Sequence, residues 1–199
     1  VLRDQALAVS GMLVRKMGGP AVKPYQPAGL WKVVAITGSN TKDFKMDSGE
    51  ALYRRSLYTY WRRIVGPTMF FDAARRQICE VKPLRTNTPM HALTTLNEFT
   101  YVEAAKSLAA LCIDSGANPR LRLNWMANRV LCRDFVDAEL QIWERSLKTA
   151  LSHYERHPAE ARALLDAESS EPAEEVRIRA AWTSVCLNAL NLDETLSKE

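Results

Sequence analysis

Residues 119–157 read PRLRLNWMANRVLCRDFVDAELQIWERSLKTALSHYERH, and this stretch decides the fold class. Its apolar residues predict one helix from about Pro119 to Arg133 and another from Asp137 to about His157. A shorter helix is predicted from Pro158 to Asp166. We therefore expect the second half of the chain to form a helical bundle or array.

Two further helices are predicted around this stretch. Thr88 and Pro89 suit the cap and the first position of a helix that continues to Gly116. The last helix starts at Pro172, with an apolar stripe formed by Ile178, Trp182, Val185, Ala189 and Leu192.

The first half of the chain is less regular. Apolar spacing predicts a helix over residues 2–17, which Gly18-Gly19-Pro20 ends. Residues 18–49 contain most of the glycines and several prolines, and this composition is typical of a loop. Within that loop Leu30–Ala35 can form a short helix, and the aromatic anchors are Tyr25, Trp31 and Phe44.

Beyond this loop, residues 52–64 follow a helical period, and a short helix is predicted over residues 72–79. The predicted fold is mainly α, with an irregular, loop-rich first half (1–87) packed on a helical bundle or array (88–195). We expect residues 1–199 to be one continuous domain, because they contain no repeat and no stretch long enough to be a domain linker. Its subregions are an arginine-rich one (1–87) and a helical one (88–199). Residues 1–7 read as the inside of a helix, so we expect residue 1 to be a cut or processed end.

Composition excludes several classes of protein. The chain has 199 residues, and 47% of them are hydrophobic. A chain of this length can bury a core without support from a metal or disulfides. No apolar run approaches the roughly 20 residues that a membrane-spanning helix needs.

The cysteines are scattered. None of the four forms a CxxC or CxxCH motif or a Cys/His ligand pattern, so neither zinc nor covalent haem is expected in this chain, and no metal site is predicted. Cys112, Cys132 and Cys186 lie among apolar helical positions, which favours buried thiols over disulfides. Cys79 lies among cations, but no histidine forms a dyad with it, so a structural role is favoured.

Charge is unevenly distributed. Residues 54–85 carry eight Arg or Lys against two acids, a net of +6, whereas residues 155–199 carry five against ten, a net of −5. Such opposite poles favour docking of one segment on the other or an anionic partner for the basic one.

Several ordered blocks of sequence resemble a known family. They are LRDQALAVSG (2–11), VKPYQP (22–27), GLW (29–31), LYRRSLYTYW (52–61), FDA (71–73), RTNTP (85–89), AW (181–182) and LNLDE (190–194). Together they resemble the carboxy-terminal domain of unknown function fifteen fifty-three of large planctomycete proteins, which often carry cytochrome-c-like domains upstream.

The resemblance implies an exported multidomain protein, periplasmic or extracellular, with this chain as its carboxy-terminal portion. The implied partners are the upstream domains of the same protein or a companion subunit. The resemblance places c-type haem in those upstream domains and no cofactor in this chain. It supplies no catalytic residues.

The RTNTP block is the sharpest candidate site. Arg85, Thr86, Asn87 and Thr88 place a guanidinium, an amide and two hydroxyls ahead of free helix N–H groups, which suits an anion. The alternative is an ordinary helix cap with Arg85 paired to an acid. Further anion-binding candidates are Arg54, Arg55, Arg75 and Arg76, interleaved with aromatic residues, although a packed helix with a solvated basic face also explains them.

No phosphate loop, nucleophile elbow or metal motif occurs, so the sequence does not decide whether the chain is an enzyme. We interpret it as a non-catalytic scaffold or anion-binding module, with an acidic or sulfated polysaccharide rather than nucleic acid as the expected ligand. The alternative is part of a redox enzyme or hydrolase whose active site is completed by upstream cytochrome-linked domains. A third hypothesis is that the chain is a purely structural subunit of an assembly.

Overall fold

The computed structural model describes residues 2–26, 28–34, 38, 43–60 and 89–196. Within them the protein is mainly helical, as predicted, and the first part is rich in loops. The helices are α1 (Leu2–Val9), α2 (Leu30–Val34), α3 (Pro89–Asn97), α4 (Phe99–Asp114), α5 (Pro119–Leu131), α6 (Asp137–Arg156), α7 (Pro158–Leu165), α8 (Ala173–Leu190) and α9 (Asp193–Leu196). None of these helices is long and apolar enough to cross a membrane.

Helix α8 lies at the centre of the bundle. It packs most extensively on α4, and α6 and α7 lie against other parts of it. Its buried residues are not confined to one stripe, since Ala180, Ala181, Trp182 and Thr183 are all buried in succession. Such a helix is buried nearly all round, and α3 to α7 and α9 all contact it.

The helices predicted from residue 119 onward are confirmed with small shifts at their ends. Pro119 begins α5 and Pro158 begins α7, because proline is favoured in the first turn of a helix. Asn118 caps α5, with its side-chain oxygen accepting a hydrogen bond from the Leu121 N–H at 2.9 Å.

The single helix predicted over 89–116 is wrong, because the structure divides it at Glu98. The Glu98 carboxylate accepts hydrogen bonds from the N–H groups of Thr100 at 2.9 Å and Tyr101 at 3.3 Å, and so caps a new helix, α4. Glutamate is an uncommon residue at this position, and the sequence did not mark it.

The first helix is shorter than predicted. Helix α1 ends at Val9 rather than near residue 17, because Gly11 adopts a left-handed conformation with φ +79°. The Gly11 N–H donates to the carbonyl of Ala8, and the Leu13 N–H donates to that of Leu7. The chain then leaves the helix axis.

The helix predicted over 52–64 is also wrong for its described part. Residues 49–53 and 56–58 are 3-10 turns, and Arg54 and Thr59 form isolated parallel bridges with Val14 and Val22. The Val22 N–H donates to the Tyr58 carbonyl at 2.8 Å, and the Tyr60 N–H donates to the Val22 carbonyl at 2.7 Å. Residues 61–64, the short helix predicted over 72–79 and Cys79 lie outside the described residues.

Two of the three cysteines expected to be buried are buried. Cys112 of α4 and Cys186 of α8 are fully buried free thiols. The expectation for Cys132 is wrong, because this residue is exposed at the end of α5, where it ends the helix with φ 60°.

Candidate functional site

Residues 10–26, 28–34 and 43–60 form a layer of loops, here called the loop layer. Arg54 is at its centre and only 6% exposed. Its Nη1 donates to the Pro20 carbonyl at 3.0 Å, and its Nη2 donates to the carbonyls of Lys16, at 3.2 Å, and Gly18. One side chain therefore fixes the turn at residues 16–20.

Tyr58 reinforces the same turn. The Arg54 Cζ lies 4.0 Å from the centroid of the Tyr58 ring, within the range of a cation–π contact. The Tyr58 hydroxyl accepts a hydrogen bond from the Gly18 N–H at 2.8 Å. Arginine and tyrosine thus hold the turn from two directions.

A second buried arginine joins the loop layer to α1. Arg3 is 1% exposed, and its guanidinium donates to the carbonyls of Arg54 and Leu52. Burial lowers the pKa of Arg3, while the neighbouring Asp4 opposes that shift. Asp4 in turn accepts hydrogen bonds from the N–H of Ser56 at 2.8 Å and from its hydroxyl at 2.7 Å.

The loop layer also contains an aromatic stack. Trp31 is buried, with ring centroids 5.0 Å from Phe44 and 5.8 Å from Tyr60, and its indole N–H donates to Gln26. Lys23 Nζ lies 5.6 Å from the Tyr60 ring centroid. In the described part of the loop, the predicted anchors Trp31 and Phe44 therefore pack against each other.

The loop layer contacts the bundle at the start of α4. The ring of Tyr25 stacks on that of Phe99 at 5.2 Å. Nearby, burial raises the pKa of Glu98, against the hydrogen bonds from Thr100 and Tyr101 that favour its charged form. Burial also raises the pKa of Tyr101, which is 2% exposed.

Exposed charge on the loop layer is mainly positive. Arg55 is exposed although its neighbour Arg54 is buried, so the two arginines have different surroundings. The exposed cations are Arg15, Lys16, Lys32, Lys45 and Arg55, and the exposed acids are Asp43 and Glu50.

The predicted site residues therefore separate into three groups. The Nη donors of Arg54 are engaged by main-chain carbonyls, whereas Arg55 faces solvent. Arg75, Arg76, Arg85, Thr86, Asn87 and Thr88 lie outside the described residues, and their anion-binding role stays a prediction. Across the described ranges there is no group of three His, Cys, Asp or Glu side chains that could hold a metal ion.

Sequence reasoning missed the roles of Arg3, Asp4 and Glu98. An adjacent arginine and aspartate inside a short amphipathic helix was a signal for the first two, since burying such charges requires partners. For Glu98 the local pattern gave no comparable signal.

Comparison with known proteins gives one match. No curated protein and no solved structure matches this chain. A family described as PSD1, protein of unknown function (DUF1553), matches residues 1–147, which include the loop layer and helices α1 to α5. This confirms the resemblance in the sequence, and the chain belongs to the PSD1 (DUF1553) family.

Proposed function

We propose that this chain is a non-catalytic module whose loop layer binds an acidic polysaccharide. The main support for the proposal is that two adjacent arginines differ in exposure and in hydrogen bonding. Arg54 is buried and engaged by main-chain carbonyls, whereas Arg55 is exposed on the surface that Arg54 holds in place.

Rigidity supports this function. The turn at residues 16–20 is fixed by Arg54 and Tyr58, and residues 52–56 are fixed by Arg3 and Asp4. A surface that is already ordered loses less conformational entropy when a ligand binds. The main chain around Lys16 and Arg55 is therefore set before a ligand arrives.

The charge pattern favours a ligand with repeated anionic groups. The loop layer has five exposed cations and two exposed acids. Exposed ion pairs are individually weak, contributing about 0.2–1 kcal/mol each. A polymer that engages several of them at once gains by multivalency, as a polysaccharide with repeated sulfate or carboxylate groups does.

The setting that fits this activity is an exported multidomain protein, in which the bundle also connects the loop layer to upstream domains. The segment at 155–199, with a net charge of −5, carries the contrasting charge within the same chain. It provides an internal comparison, since a polyanion should avoid it.

Binding to dextran sulfate, with neutral dextran as the control polymer, tests the proposal. Because surface ion pairs are screened by salt, affinity should fall steadily as NaCl rises from about 50 to 500 mM. The variant R15Q/K45Q/R55Q removes three exposed charges from the loop layer, and R145Q/K148Q/R156Q removes three from α6.

The loop-layer variant should bind dextran sulfate about tenfold more weakly, since three pairs at about 0.5 kcal/mol each sum to about 1.5 kcal/mol, close to the 1.4 kcal/mol of a tenfold change. The α6 variant should bind within about twofold of the unmodified chain. Equal losses in both variants, or none in either, contradict the proposal. The variant R75Q/R76Q/R85Q separately tests the arginines predicted from the sequence.

A further inference from the structure

Two cysteine thiols meet in the middle of the bundle. The Sγ atoms of Cys112 in α4 and Cys186 in α8 lie 3.8 Å apart, and both residues are 0% exposed. They join the two helices that pack most extensively on each other. The Sδ of Met126, from α5, lies 3.8 Å from the Cys186 Sγ and completes a cluster of three sulfur atoms.

We propose that Cys112 and Cys186 form a disulfide between α4 and α8 when the chain folds in the presence of a disulfide oxidant. The reaction is thiol–disulfide exchange with a small-molecule disulfide such as oxidised glutathione. One protein thiolate attacks the oxidant and releases one reduced thiol, and the second protein thiolate then displaces the other. The two cysteines lose two electrons and two protons, and the oxidant becomes two thiols.

The geometry requires little movement. A disulfide bond is about 2.05 Å long, so each sulfur atom must approach the other by about 1 Å. Side-chain rotation supplies a displacement of this size, and the flexible thioether of Met126 can follow it. Cys132 is exposed at the end of α5, so it does not share this buried environment.

Burial determines when the bond can form. In the folded bundle, burial raises the pKa of the Cys186 thiol, and the neighbouring Cys112 adds to the shift. The thiolate is the attacking species, so exchange is slow once the core is closed. The disulfide therefore forms before α8 has docked, and the closed core then protects it from external reductants.

The bond would have a structural consequence beyond its own helices. Cys112 and Cys186 are 74 residues apart, so the bond closes a long loop that includes α5, α6 and α7. It also links α4, inside the range matched by the family, to α8, which lies beyond residue 147. The inference is independent of the polysaccharide proposal.

Disulfide mapping on the full chain tests this inference. The chain is refolded with oxidised glutathione or with dithiothreitol, free thiols are blocked with iodoacetamide in denaturant, and the linked peptides are identified by mass spectrometry. We expect a Cys112–Cys186 linkage only in the oxidised sample, with Cys79 and Cys132 alkylated. Four alkylated cysteines in the oxidised sample, or a dominant linkage through Cys79 or Cys132, would overturn the proposal.

A stability measurement provides the second readout. The oxidised chain should melt roughly 5–15 °C above the reduced chain, because a long closed loop restricts the unfolded state. This difference should vanish in Cys112→Ala and in Cys186→Ala and persist in Cys132→Ala. A difference that persists in either core variant would contradict the assignment. Mapping of the unmodified chain remains decisive if a core variant does not fold.

Discussion

The guanidinium of Arg54 lies over the ring of Tyr58, with 4.0 Å between Cζ and the ring centroid, and both side chains bind the same turn. Arg54 donates to the Gly18 carbonyl, and the Tyr58 hydroxyl accepts from the Gly18 N–H. The main chain at residue 18 is therefore held through its donor and its acceptor. This arrangement makes Arg54 a structural residue of the loop layer, and the proposed function assigns ligand contact to its exposed neighbours.

Replacing Arg54 should destabilise the loop layer, whereas replacing Arg55 should not. Arg54→Gln leaves the carbonyls of Lys16, Gly18 and Pro20 without their donor, at a cost of about 2–4 kcal/mol in the free energy of unfolding. Arg55→Gln should change it by less than about 0.5 kcal/mol. Urea unfolding measures both.

Limited trypsin digestion localises the effect of Arg54→Gln. Cleavage after Arg15 and Lys16 should become faster in this variant, because the turn that follows is released. Arg54→Lys should behave like Arg54→Gln, since an ammonium group lacks the planar fork that reaches several carbonyls. Similar stability and cleavage for the Arg54 and Arg55 variants would contradict the structural assignment.

Acid should weaken the contact between α5, α6 and α9. Arg133 donates to Glu139 at 2.8 and 2.9 Å and to Glu194 at 2.7 and 2.8 Å. The Arg133 hydrogen bonds, with a smaller contribution from the Val136 N–H, lower the pKa of Glu139 from 4.5 to about 2. They also lower the pKa of Glu194.

A lowered pKa in the folded state stabilises the protein above the ordinary pKa. This contribution is fully present above about pH 4.5 and is lost as the pH falls toward 2. Glu139→Gln should therefore lose less stability than the unmodified chain between pH 7 and pH 2.5, as measured by urea midpoints at each pH. Glu50→Gln, at an exposed carboxylate of the loop layer, is the control. An unchanged acid sensitivity in Glu139→Gln would count against the Arg133 network.

Glu98 should show the opposite dependence on pH. Burial raises the pKa of its carboxyl, so its contribution is greatest below its ordinary pKa of 4.5 and declines as the pH rises through the raised value. Glu98→Gln, which keeps an acceptor for the α4 N–H groups, should therefore be better tolerated at pH 8 than at pH 4.

Glu98→Ala removes the cap of α4 and should cost about 1–2 kcal/mol, with the larger loss at pH 4, where the contribution of Glu98 is greatest. Asn118→Ala, at the exposed cap of α5, provides the comparison and should cost less, because water can replace the lost acceptor there. Thermal melts of the three variants at pH 4 and pH 8 provide the measurement. Equal tolerance of Glu98→Gln at both pH values would contradict the burial of an ionised carboxyl.

The helices that could be predicted from sequence are those with a clear local signal at their start. Pro119 and Pro158 mark the starts of α5 and α7, and these two helices agree with the prediction to within a few residues. The failures depend on long-range contacts. Residues 52–60 have a helical period, yet their main-chain groups pair with residues 14 and 22, more than thirty positions away in the sequence.

The candidate site was predictable in composition but not in detail. The sequence identified Arg54 and Arg55 as equivalent members of one basic patch. Helical periodicity does not indicate which of two adjacent arginines donates to main-chain carbonyls, because the positions of those carbonyls depend on the fold of residues 16–20. The aromatic anchors Trp31 and Phe44 were predictable because large apolar side chains in a loop need a packing partner.

Hydrogen–deuterium exchange with dextran sulfate most directly tests the claim that the loop layer is the ligand-binding surface. If the loop layer binds the polymer, amides in residues 11–26 and 43–60 should exchange more slowly in its presence, with little change in α6, α7 and α8. This protection should be lost at high salt and in R15Q/K45Q/R55Q. Protection confined to those three helices, or no protection at a dextran sulfate concentration that saturates binding, would contradict this claim.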